Sequence, residues 1–438
     1  MEDLIRGAIS SEIMKKAAQE YGTPLYLYDE NEIIQRCKNL LNMPNAYGIK
    51  VSYSVKANSS RALLQLIVKQ GLNLDLSSLN EGKRAHLAGI SYEKMMLTTQ
   101  EVPTGQDKRD LEKMMKQGMK YTACSLRQLE LIVDFASQNK IPLAMRVHPG
   151  VGSGETQSRD TGSKYACFGI HLSDIPKALA IAKEKNVLIE TIHVHIGSGG
   201  DPKAWRDNID RELEFVETYF PDVTTVNLGG GFRVARMPDE KPADVTALGN
   251  YAKQQFEKFY EKTGRKCTME IEPGSYIVAN SGYLVTTVLD KKRTGDDGFD
   301  FVILDGGMEV NVRPAMYGSR HPFYVVSKEG ELLSSEMDLS TLDTSSEFNV
   351  VGKCCESGDS QSLDRYGTII PRIMAAPNID DFVVIGDTGA YCSSMTPFNY
   401  NSHTQIPEIL LRKSGRLDLI RKRETLEEII RNEENLQD

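Results

Sequence analysis

The stretch that decides the fold is Val51-Ser-Tyr-Ser-Val-Lys-Ala-Asn58, an alternating apolar run that predicts a β-strand ending at a lysine. An amine at the end of a rigid strand, partly shielded from water, can lose its proton and form a Schiff base. Lys56 alone is weak evidence for a reactive lysine, because most lysines at strand ends are solvated. Its interpretation depends on the residues further along the chain.

Short β-like runs alternate with amphipathic helical segments from Tyr26 to Gly274. Stretches such as 61–70 and 125–140 have apolar residues at spacings of three and four, as in helices that pack on a sheet. The runs are Val51–Ala57, Leu72–Ser78, Met95–Thr99, Lys120–Ser125, Pro142–Pro149, Glu190–Ser198, Thr225–Phe232 and Thr268–Gly274. Eight alternations over roughly 250 residues are what a (β/α)8 barrel requires.

After Gly274 the pattern changes to strands and turns with little helical periodicity. The predicted strands there are Tyr283–Lys291, Phe299–Leu304, Phe323–Ser327, Phe348–Lys353, Asp381–Ile385 and Ile406–Arg412. The predicted fold class is therefore α/β, with a (β/α)8 TIM-like barrel followed by a mostly β C-terminal domain. We expect the barrel at 25–274, and the second domain at 1–24 with 275–438.

Composition excludes several function classes. The chain has 438 residues and a net charge of −9 without a basic stripe, which gives no support to nucleic-acid binding. No apolar run approaches the ~20 residues that span a bilayer, and the start lacks the basic and apolar regions of a signal peptide. The cytoplasm is the expected location. The seven scattered cysteines indicate reduced thiols, and we expect Cys37, Cys124, Cys167 and Cys267 in the core.

Polar residues of different chemistry end several of the predicted barrel strands. They are Lys56, Asp75, His195, Glu272 and the triplet Gly229, Gly230 and Gly231. On such a barrel the C-terminal strand ends form the catalytic face. A glycine triplet there can expose backbone N–H groups to a phosphate, and an acid facing a pyridine nitrogen would keep that ring protonated as an electron sink.

His193 and His195 leave a rival interpretation open. They are two residues apart on a predicted strand and therefore point to the same side. Two imidazoles at one strand end could bind a metal, and the enzyme would then be a metallohydrolase. The following Ile-Gly-Ser198 favours instead a histidine that stacks on a ring beside phosphate-binding groups.

With these residues in view, the chain resembles the diaminopimelate decarboxylase family, part of the fold type III pyridoxal-phosphate enzymes that include ornithine decarboxylase. The resemblance extends from Tyr21-Gly-Thr-Pro-Leu-Tyr-Leu-Tyr28 to Leu419-Ile-Arg-Lys-Arg423. Its ordered motifs are Tyr53-Ser-Val-Lys-Ala-Asn58, His193-Val-His-Ile-Gly-Ser198, Leu228-Gly-Gly-Gly231, Glu272-Pro-Gly274, Arg313-Pro-Ala-Met-Tyr317, Cys355-Glu-Ser-Gly-Asp359, Gly389-Ala-Tyr391 and Asn399-Tyr-Asn-Ser402. Each motif is weak alone, but the ordered set is specific.

The resemblance implies the cofactor pyridoxal 5'-phosphate. Lys56 would hold it, His195 would stack on its ring, and Glu272 would pair with the ring nitrogen. The implied phosphate ligands are Ser198, Gly229, Gly230, Gly231, Gly274, Ser275 and Tyr391. No metal site is implied. Family members are head-to-tail homodimers with shared active sites, so Cys355, the implied proton donor, and Glu356 would serve the partner subunit.

The implied reaction is decarboxylation of meso-diaminopimelate to L-lysine and CO2. Arg313 and Tyr317, with Tyr391, would bind the distal carboxylate, and Glu356 the distal ammonium. One departure matters, since the family has an arginine where this chain has Ser275. Arg233, Arg236 and Arg320 are candidates to replace it. Related substrates, namely carboxynorspermidine, ornithine or a modified diamino acid, stay open, as does a non-catalytic homologue, against which Lys56 and Cys355 argue.

Overall fold

The structure is a computed structural model that describes residues 4–7, 9–150, 161–197, 201–342 and 346–436. The chain divides into two compact units. The barrel unit comprises Ile34–Val234 and Pro242–Ile277, and the sheet unit comprises Met1–Ile33, Ala235–Lys241 and Val278–Asp438. The predicted boundaries at 24/25 and 274/275 remain a prediction.

The sheet unit begins with a short hairpin, a helix and a buried strand. These elements are β1 (Leu4–Arg6), β2 (Ile9–Ser10), α1 (Ser11–Tyr21) and β3 (Leu25–Asp29), and α2 (Glu30–Leu41) follows. Helix α1 begins after Ser10, whose hydroxyl accepts a hydrogen bond from the Ile13 amide at 3.2 Å. The apolar side of α1, including Met14 and Ala17, is buried.

The barrel is a closed ring of parallel strands. Its strands and helices are β4 (Ile49–Ser54), α3 (Arg61–Lys69), β5 (Asn73–Leu76), α4 (Leu79–Leu87), β6 (Met95–Thr98), α5 (Gly105–Lys116), β7 (Lys120–Ala123), α6 (Leu126–Asn139), β8 (Leu143–His148), β9 (Ile170–His171), α7 (Ile175–Glu184), β10 (Ile189–His193), α8 (Pro202–Tyr219), β11 (Thr225–Asn227), α9 (Val245–Thr263) and β12 (Thr268–Ile271). The order is β4-β5-β6-β7-β8-β10-β11-β12, and β12 pairs with β4 to close the ring. The predicted fold class is confirmed, with the strands shorter than predicted.

Short strand-to-helix turns place polar residues at the C-terminal end of the barrel. Ser78 and Ser125 follow β5 and β7, and each caps the next helix by accepting an amide hydrogen bond at 3.1 Å, from Glu81 and Gln128 respectively. Strand β9 adds to the ring only by a short pairing with β8. The turns therefore leave the ends of the barrel strands available for a site.

The remaining elements are α10 (Ser275–Val278) followed by the C-terminal part of the sheet unit. They are β13 (Gly282–Arg293), β14 (Asp300–Leu304), α11 (Arg313–Tyr317), β15 (Phe323–Val326), β16 (Leu332–Ser335), β17 (Glu347–Val351), β18 (Arg372–Ile373), β19 (Phe382–Ile385), β20 (Glu408–Leu411), β21 (Leu417–Arg421) and α12 (Leu426–Ile430). The long strand β13 pairs with β3, β14 and β19, all antiparallel. Strand β3 in turn pairs in parallel with β20.

The core of the sheet unit is formed where these strands meet. Leu25 and Leu27 of β3 pack with Tyr283 and Val285 of β13, and Ile409 of β20 belongs to the same buried cluster. Every one of the six strands predicted after residue 274 is present, whereas β3 was not predicted as a strand.

Two further expectations can be compared with the structure. All seven cysteines are free, and Cys37, Cys124 and Cys267 are buried. The prediction for Cys167 was wrong, because it is exposed in an irregular segment that belongs to no helix or strand. In the ranges that the structure describes, no helix is both long enough and apolar enough to cross a membrane.

Candidate active site

Lys56 lies at the C-terminal end of β4, as predicted. It is the middle residue of a 3-10 turn, Val55–Ala57, that follows the strand directly. The two flanking residues of the turn are buried, and the Tyr53 hydroxyl donates to the Asn58 carbonyl at 3.0 Å. The Lys56 side chain is exposed, so the turn is anchored on both sides while the amine remains accessible.

Glu272 follows β12 and is held by two side chains from the neighbouring strands. Asn227 Nδ2 donates to its Oε1 at 2.7 Å, and His193 Nε2 lies 3.1 Å from its Oε2. Burial raises the pKa of Glu272, and the close contact with His193 opposes that effect. With smaller contributions from His195 and Lys56, the pKa falls to about 2. Glu272 is thus a buried carboxylate that remains ionised.

Asp75, on β5, is the second buried carboxyl at this end of the barrel. The Ser54 hydroxyl lies 2.9 Å from its Oδ2 and 3.1 Å from the Glu272 carbonyl oxygen. Burial and then the charge of Glu272 raise the pKa of Asp75 well above its usual range, and the charge of Lys56 opposes them. The pKa values of Glu272 and Asp75 are therefore shifted in opposite directions, which is a common property of functional sites.

His195 packs against the glycine turn that follows β11. Its Nδ1 accepts a hydrogen bond from the Gly230 amide at 3.1 Å, which places the ring hydrogen of a neutral His195 on Nε2. Burial, then the charges of Arg146 and Lys56, lower the pKa of His195 well below its usual value. A Cβ on Gly229 would lie 2.7 Å from His195 Nδ1, so this close approach requires glycine.

The metal-binding alternative for His193 and His195 is not favoured. His193 faces Glu272, and its pKa is lowered chiefly by burial, whereas His195 faces the glycine turn. Among the described residues, neither histidine belongs to a group of three or more His, Cys, Asp or Glu side chains close enough to share an ion. The two imidazoles therefore have separate roles.

The barrel mouth, meaning the C-terminal ends of β4, β5, β10, β11 and β12, has the chemistry that pyridoxal phosphate needs. It offers an accessible amine at Lys56, a buried ionised acid at Glu272 and an imidazole fixed beside a glycine turn at His195. A Cβ on Gly230 would lie 2.7 Å from the Glu272 carbonyl oxygen, so the turn is a backbone cradle without side chains. Asp75 Oδ1 is buried and has no hydrogen-bond partner within the described ranges. These residues fit the cofactor.

The predicted residues of the sheet unit form two groups. Arg313 begins α11 and is buried, and its guanidinium lies 6.0 Å from the centre of the Tyr317 ring and 5.9 Å from that of Tyr391. Arg313 also donates to the Ser319 hydroxyl at 3.2 Å. Tyr391 has a left-handed backbone with φ of 57°, an uncommon conformation for a tyrosine. These contacts place Arg313, Tyr317 and Tyr391 together.

Cys355 and Glu356 lie side by side on an exposed loop after β17. The Cys355 amide donates to Asn401 Oδ1 at 2.9 Å, and the Tyr400 hydroxyl donates to Glu356 Oε2 at 3.1 Å. A hydrogen bond from the Gly358 amide, followed by the one from Tyr400, lowers the pKa of Glu356. The loop therefore presents a thiol and a carboxylate to solvent.

The three arginines that could replace the family's arginine at position 275 lie in different surroundings. Arg320 pairs with Asp239 at 2.7 Å and with Glu240 at 3.6 Å. Arg233 is exposed in the barrel unit. Arg236 belongs to the sheet unit, and its Nε and Nη2 are buried with no hydrogen-bond partner in the described parts of the chain. Arg236 and Arg313 both lower the pKa of the buried His321, so two guanidinium charges act on the same part of the sheet unit.

Sequence reasoning missed the residues that support the predicted ones. Asn227 and Ser54 contact Glu272 and Asp75, and Arg146 is a buried charge in the otherwise apolar strand β8. The charge inside β8 was a visible signal, whereas the two polar contacts depend on how neighbouring strands align. Gly274 and Ser275 lie half-buried at the start of α10. Ser198 lies outside the described residues.

Comparisons with known proteins agree on one family. The profile described as "Pyridoxal-dependent decarboxylase, pyridoxal binding domain" matches residues 30–279. A diaminopimelate decarboxylase of Escherichia coli strain K12 is 31% identical over 428 residues, covering 96% of both chains. One from Methanothermobacter thermautotrophicus is 30% identical, covering 98% of this chain and 95% of that protein.

Solved structures extend the similarity to the whole fold. A crystal structure of a diaminopimelate decarboxylase superposes with a TM-score of 0.85 at 29% identity, covering 96% of each chain. The Helicobacter pylori enzyme of the same name, complexed with L-lysine, superposes with a TM-score of 0.80 at 26% identity, covering 95% of this chain and 98% of that one. Both the barrel and the mostly β unit therefore have counterparts in these structures.

Proposed function

Since this chain belongs to the diaminopimelate decarboxylase family of pyridoxal-dependent decarboxylases, we propose that it removes one carboxylate of meso-diaminopimelate as CO2 and releases L-lysine. The observation that carries the proposal is the buried, ionised Glu272. An acid kept ionised inside a barrel, within the field of an accessible lysine, suits a protonated pyridine ring and has no evident structural need.

We assign the cofactor contacts to residues of the barrel mouth. Lys56 would hold pyridoxal phosphate through its amine, His195 would lie against the ring, and Glu272 would keep the ring nitrogen protonated. The phosphate is assigned to Ser198, the backbone of Gly229, Gly230, Gly231 and Gly274, Ser275, and Tyr391 of the sheet unit. When bound, the cofactor supplies an electron sink for the pair left by the departing carboxylate.

The chain itself controls the protons. Glu272 cannot take the proton of the ring nitrogen, because its pKa of about 2 makes it far the weaker base. His195 stays neutral at physiological pH, so it adds no charge to the ring face. The Cys355 thiol would deliver a proton to the carbon that has lost its carboxylate, and Cys355 would regain a proton from water, so that atoms and charge balance over one turnover.

We propose that two copies of the chain share their active sites. Cys355 and Glu356 belong to the sheet unit, and both are exposed on one loop. An exposed thiol and carboxylate side by side on one loop suit a role in the site of a partner subunit. A cytoplasmic location is also part of the proposal.

The distal end of the substrate is a carboxylate beside an ammonium. Arg313 with Tyr317 is the proposed carboxylate site, to which Arg236 adds a second guanidinium. Glu356 is the proposed partner of the ammonium. This arrangement explains how the chain binds a dicarboxylate although Ser275 carries no charge.

The test combines a product assay with cofactor trapping. The purified holoenzyme should release CO2 and lysine from meso-diaminopimelate faster than CO2 from ornithine or carboxynorspermidine. Borohydride should fix the cofactor to Lys56, as seen by peptide mass, and Lys56→Ala should lose both the adduct and at least about a thousandfold of kcat. Preference for another substrate would overturn the substrate assignment, and a colourless protein with no adduct would overturn the whole proposal.

A further inference from the structure

Two turns of the sheet unit meet because the strands before them are neighbours. Strands β14 and β17 pair in parallel, so the chain leaves both strands at the same edge of the sheet. The turn after β14 contains Gly307 and Glu309, and the loop after β17 runs from Gly352 to Asp359. Parallel pairing therefore brings residues about 45 positions apart into contact, as between Cys354 and Glu309.

Glu309, Cys354 and Asp359 form a compact group at this edge. One ligand atom from each lies within 4.8 Å of those of the other two, and Cys354 Sγ is 3.3 Å from Glu309 Oε2. Glu309 and Asp359 are 8% and 3% exposed. The group is thus two buried carboxylates beside a half-buried thiol.

Backbone amides fix the two carboxylates. Asp359 accepts amide hydrogen bonds from Met308 at 2.6 Å and from Cys354 at 2.8 Å, and Glu309 Oε2 accepts one from Gly307 at 2.9 Å. A Cβ on Gly307 would lie 2.5 Å from the Gly352 Cα, so the two turns approach as closely as glycine permits. The oxygens are therefore held in place before any ligand arrives.

One oxygen of this group is left without a hydrogen bond. Glu309 Oε1 is buried and has no partner among the residues that the structure describes. A buried carboxylate oxygen without a donor is unfavourable by about 1–3 kcal/mol, more for a charged group. The Cys354 sulfur and the Asp359 carboxylate beside it are not cations. Arg421, which lines the same pocket as Glu309, is already paired with Glu408 at 3.2 Å. The missing component is a positive charge.

We propose that Glu309, Cys354 and Asp359 bind a divalent cation of the zinc class, with water completing the coordination. Zinc combines thiolate and carboxylate ligands, whereas magnesium and calcium avoid sulfur. In a tetrahedral zinc site the ligand atoms are roughly 3.5 Å apart, close to the 3.3 Å between Cys354 Sγ and Glu309 Oε2, so binding would close only the wider separations, which reach at most 4.8 Å. Glu309 also lines a small pocket with His403 and Thr404.

The ion would fix the loop that carries Cys355 and Glu356, since both lie between the ligands Cys354 and Asp359. This consequence rests on the proposed function, whereas ion binding does not. An ion at Cys354 replaces the thiol proton, so binding releases a proton and strengthens as pH rises. The concentration of available zinc would therefore determine how firmly the loop that carries Cys355 and Glu356 is held in place.

The test uses Co²⁺ as a spectroscopic replacement for zinc. The holoenzyme is freed of metal with a chelator and titrated with Co²⁺, and the visible d–d bands of tetrahedral cobalt are followed at wavelengths beyond the absorption of the cofactor. One saturable set of bands per chain is expected, and added Zn²⁺ should abolish it. Cys354→Ser and Glu309→Gln should each lose the bands.

Cys355→Ser is the matched control, because it changes the neighbouring thiol and should retain the cobalt spectrum. Bands that survive Cys354→Ser, or that disappear only with Cys355→Ser, would overturn the site. Circular dichroism of each variant shows that the loss is not unfolding, and Glu309→Gln keeps the hydrogen bond from Gly307. Failure of the proposed function would appear separately, as absent CO2 release from the Zn²⁺-loaded holoenzyme although the cobalt bands are present.

Discussion

At the barrel mouth, Glu272 and Asp75 are 6% and 2% exposed and take hydrogen bonds from neighbouring strands, whereas Cys355 and Glu356 lie exposed on a loop of the sheet unit. The barrel residues owe their properties to burial and to each other's charges. The loop residues have ordinary solvated surroundings. The charged groups of the barrel mouth are therefore arranged before any ligand binds. The loop presents a thiol and a carboxylate, and their roles depend on the surface that the loop contacts.

Because of this difference, the barrel mouth and the loop should respond differently to mutation. Altering a charge at the barrel mouth disturbs several groups together, because Lys56 lowers the pKa of both Glu272 and Asp75, and Glu272 raises that of Asp75. Altering the loop removes a single group and leaves the fold intact. The predictions below use this contrast, beginning with the largest effect.

Mixed subunits test whether the loop works in a partner's site. Lys56→Ala and Cys355→Ala should each be inactive, but reassociated mixtures should recover about a quarter of wild-type activity. Half of the dimers are then hybrids, and each hybrid has one intact site out of two. The measurement is kcat per total subunit after the two variants are mixed and allowed to exchange.

The control for this mixture is each variant exchanged with itself, which should give only background activity. Recovery absent despite proven hybrid formation would show that Cys355 serves the site of its own chain. A fully active monomer in sedimentation would also contradict the shared site.

Glu272→Gln tests the preorganised charge at the barrel mouth. Glutamine keeps the shape and the contact with Asn227 but cannot hold a protonated ring nitrogen, so kcat should fall about a hundred- to a thousandfold. The cofactor should still bind, as measured by its absorbance. Glu270→Gln is the matched control, since Glu270 is buried on β12, two residues before Glu272, and its carboxylate accepts a hydrogen bond from the Ser52 hydroxyl at 2.7 Å. Equal losses of kcat in Glu272→Gln and Glu270→Gln would contradict the proposal that Glu272 has the specific role of holding the ring nitrogen protonated.

Arg313→Ala and Arg236→Ala test the carboxylate site of the sheet unit. Each should lower kcat/KM for meso-diaminopimelate about ten- to a hundredfold, the scale of a lost charged hydrogen bond. Ornithine, which has no distal carboxylate, should respond much less to either change. Arg320→Ala is the control, because that side chain is half-exposed and already paired with Asp239, and we expect a change within about threefold. Lysine production that is unaffected by Arg313→Ala would refute the carboxylate site.

The smallest effect is the pH dependence of stability due to His195. Its folded pKa is lowered, so below the unfolded pKa of about 6.5 the unfolded chain takes up a proton that the folded chain does not. Folding stability should therefore fall by about 1.4 kcal/mol per pH unit on acidification below 6.5, from this residue alone. Denaturant unfolding at several pH values should show a shallower dependence for His195→Phe. If the pH dependence of stability is the same in His195→Phe as in the wild type, the titration of other groups is responsible for it.

The barrel could be predicted from sequence because its signals are local. Each strand is short and apolar, each is followed by a helix of the right period, and Lys56, His195 and Glu272 come directly after strands. The position of a residue relative to the end of a strand was thus enough to place it at the barrel mouth.

Contacts between strands could not be predicted in this way. The hydrogen bond from Asn227 to Glu272 depends on the register in which Asn227 faces Glu270. The same limit applied to β3, whose Leu-Tyr-Leu-Tyr run indicates a buried strand without showing which sheet it joins. Its partners β13 and β20 are hundreds of residues away, and no local pattern identifies them.

Strand β3 also determines when the sheet unit can be completed during synthesis. The Tyr28 hydroxyl bonds to Glu408, which is 380 residues later in the chain. At translation rates of about 5–20 residues per second, the N-terminal strand waits roughly 20 to 80 seconds for this partner. The barrel has its full sequence before then, but the unit that begins the chain finishes last. A nascent chain stopped after the barrel would keep the apolar face of β3 uncovered, and would therefore be a substrate for chaperones.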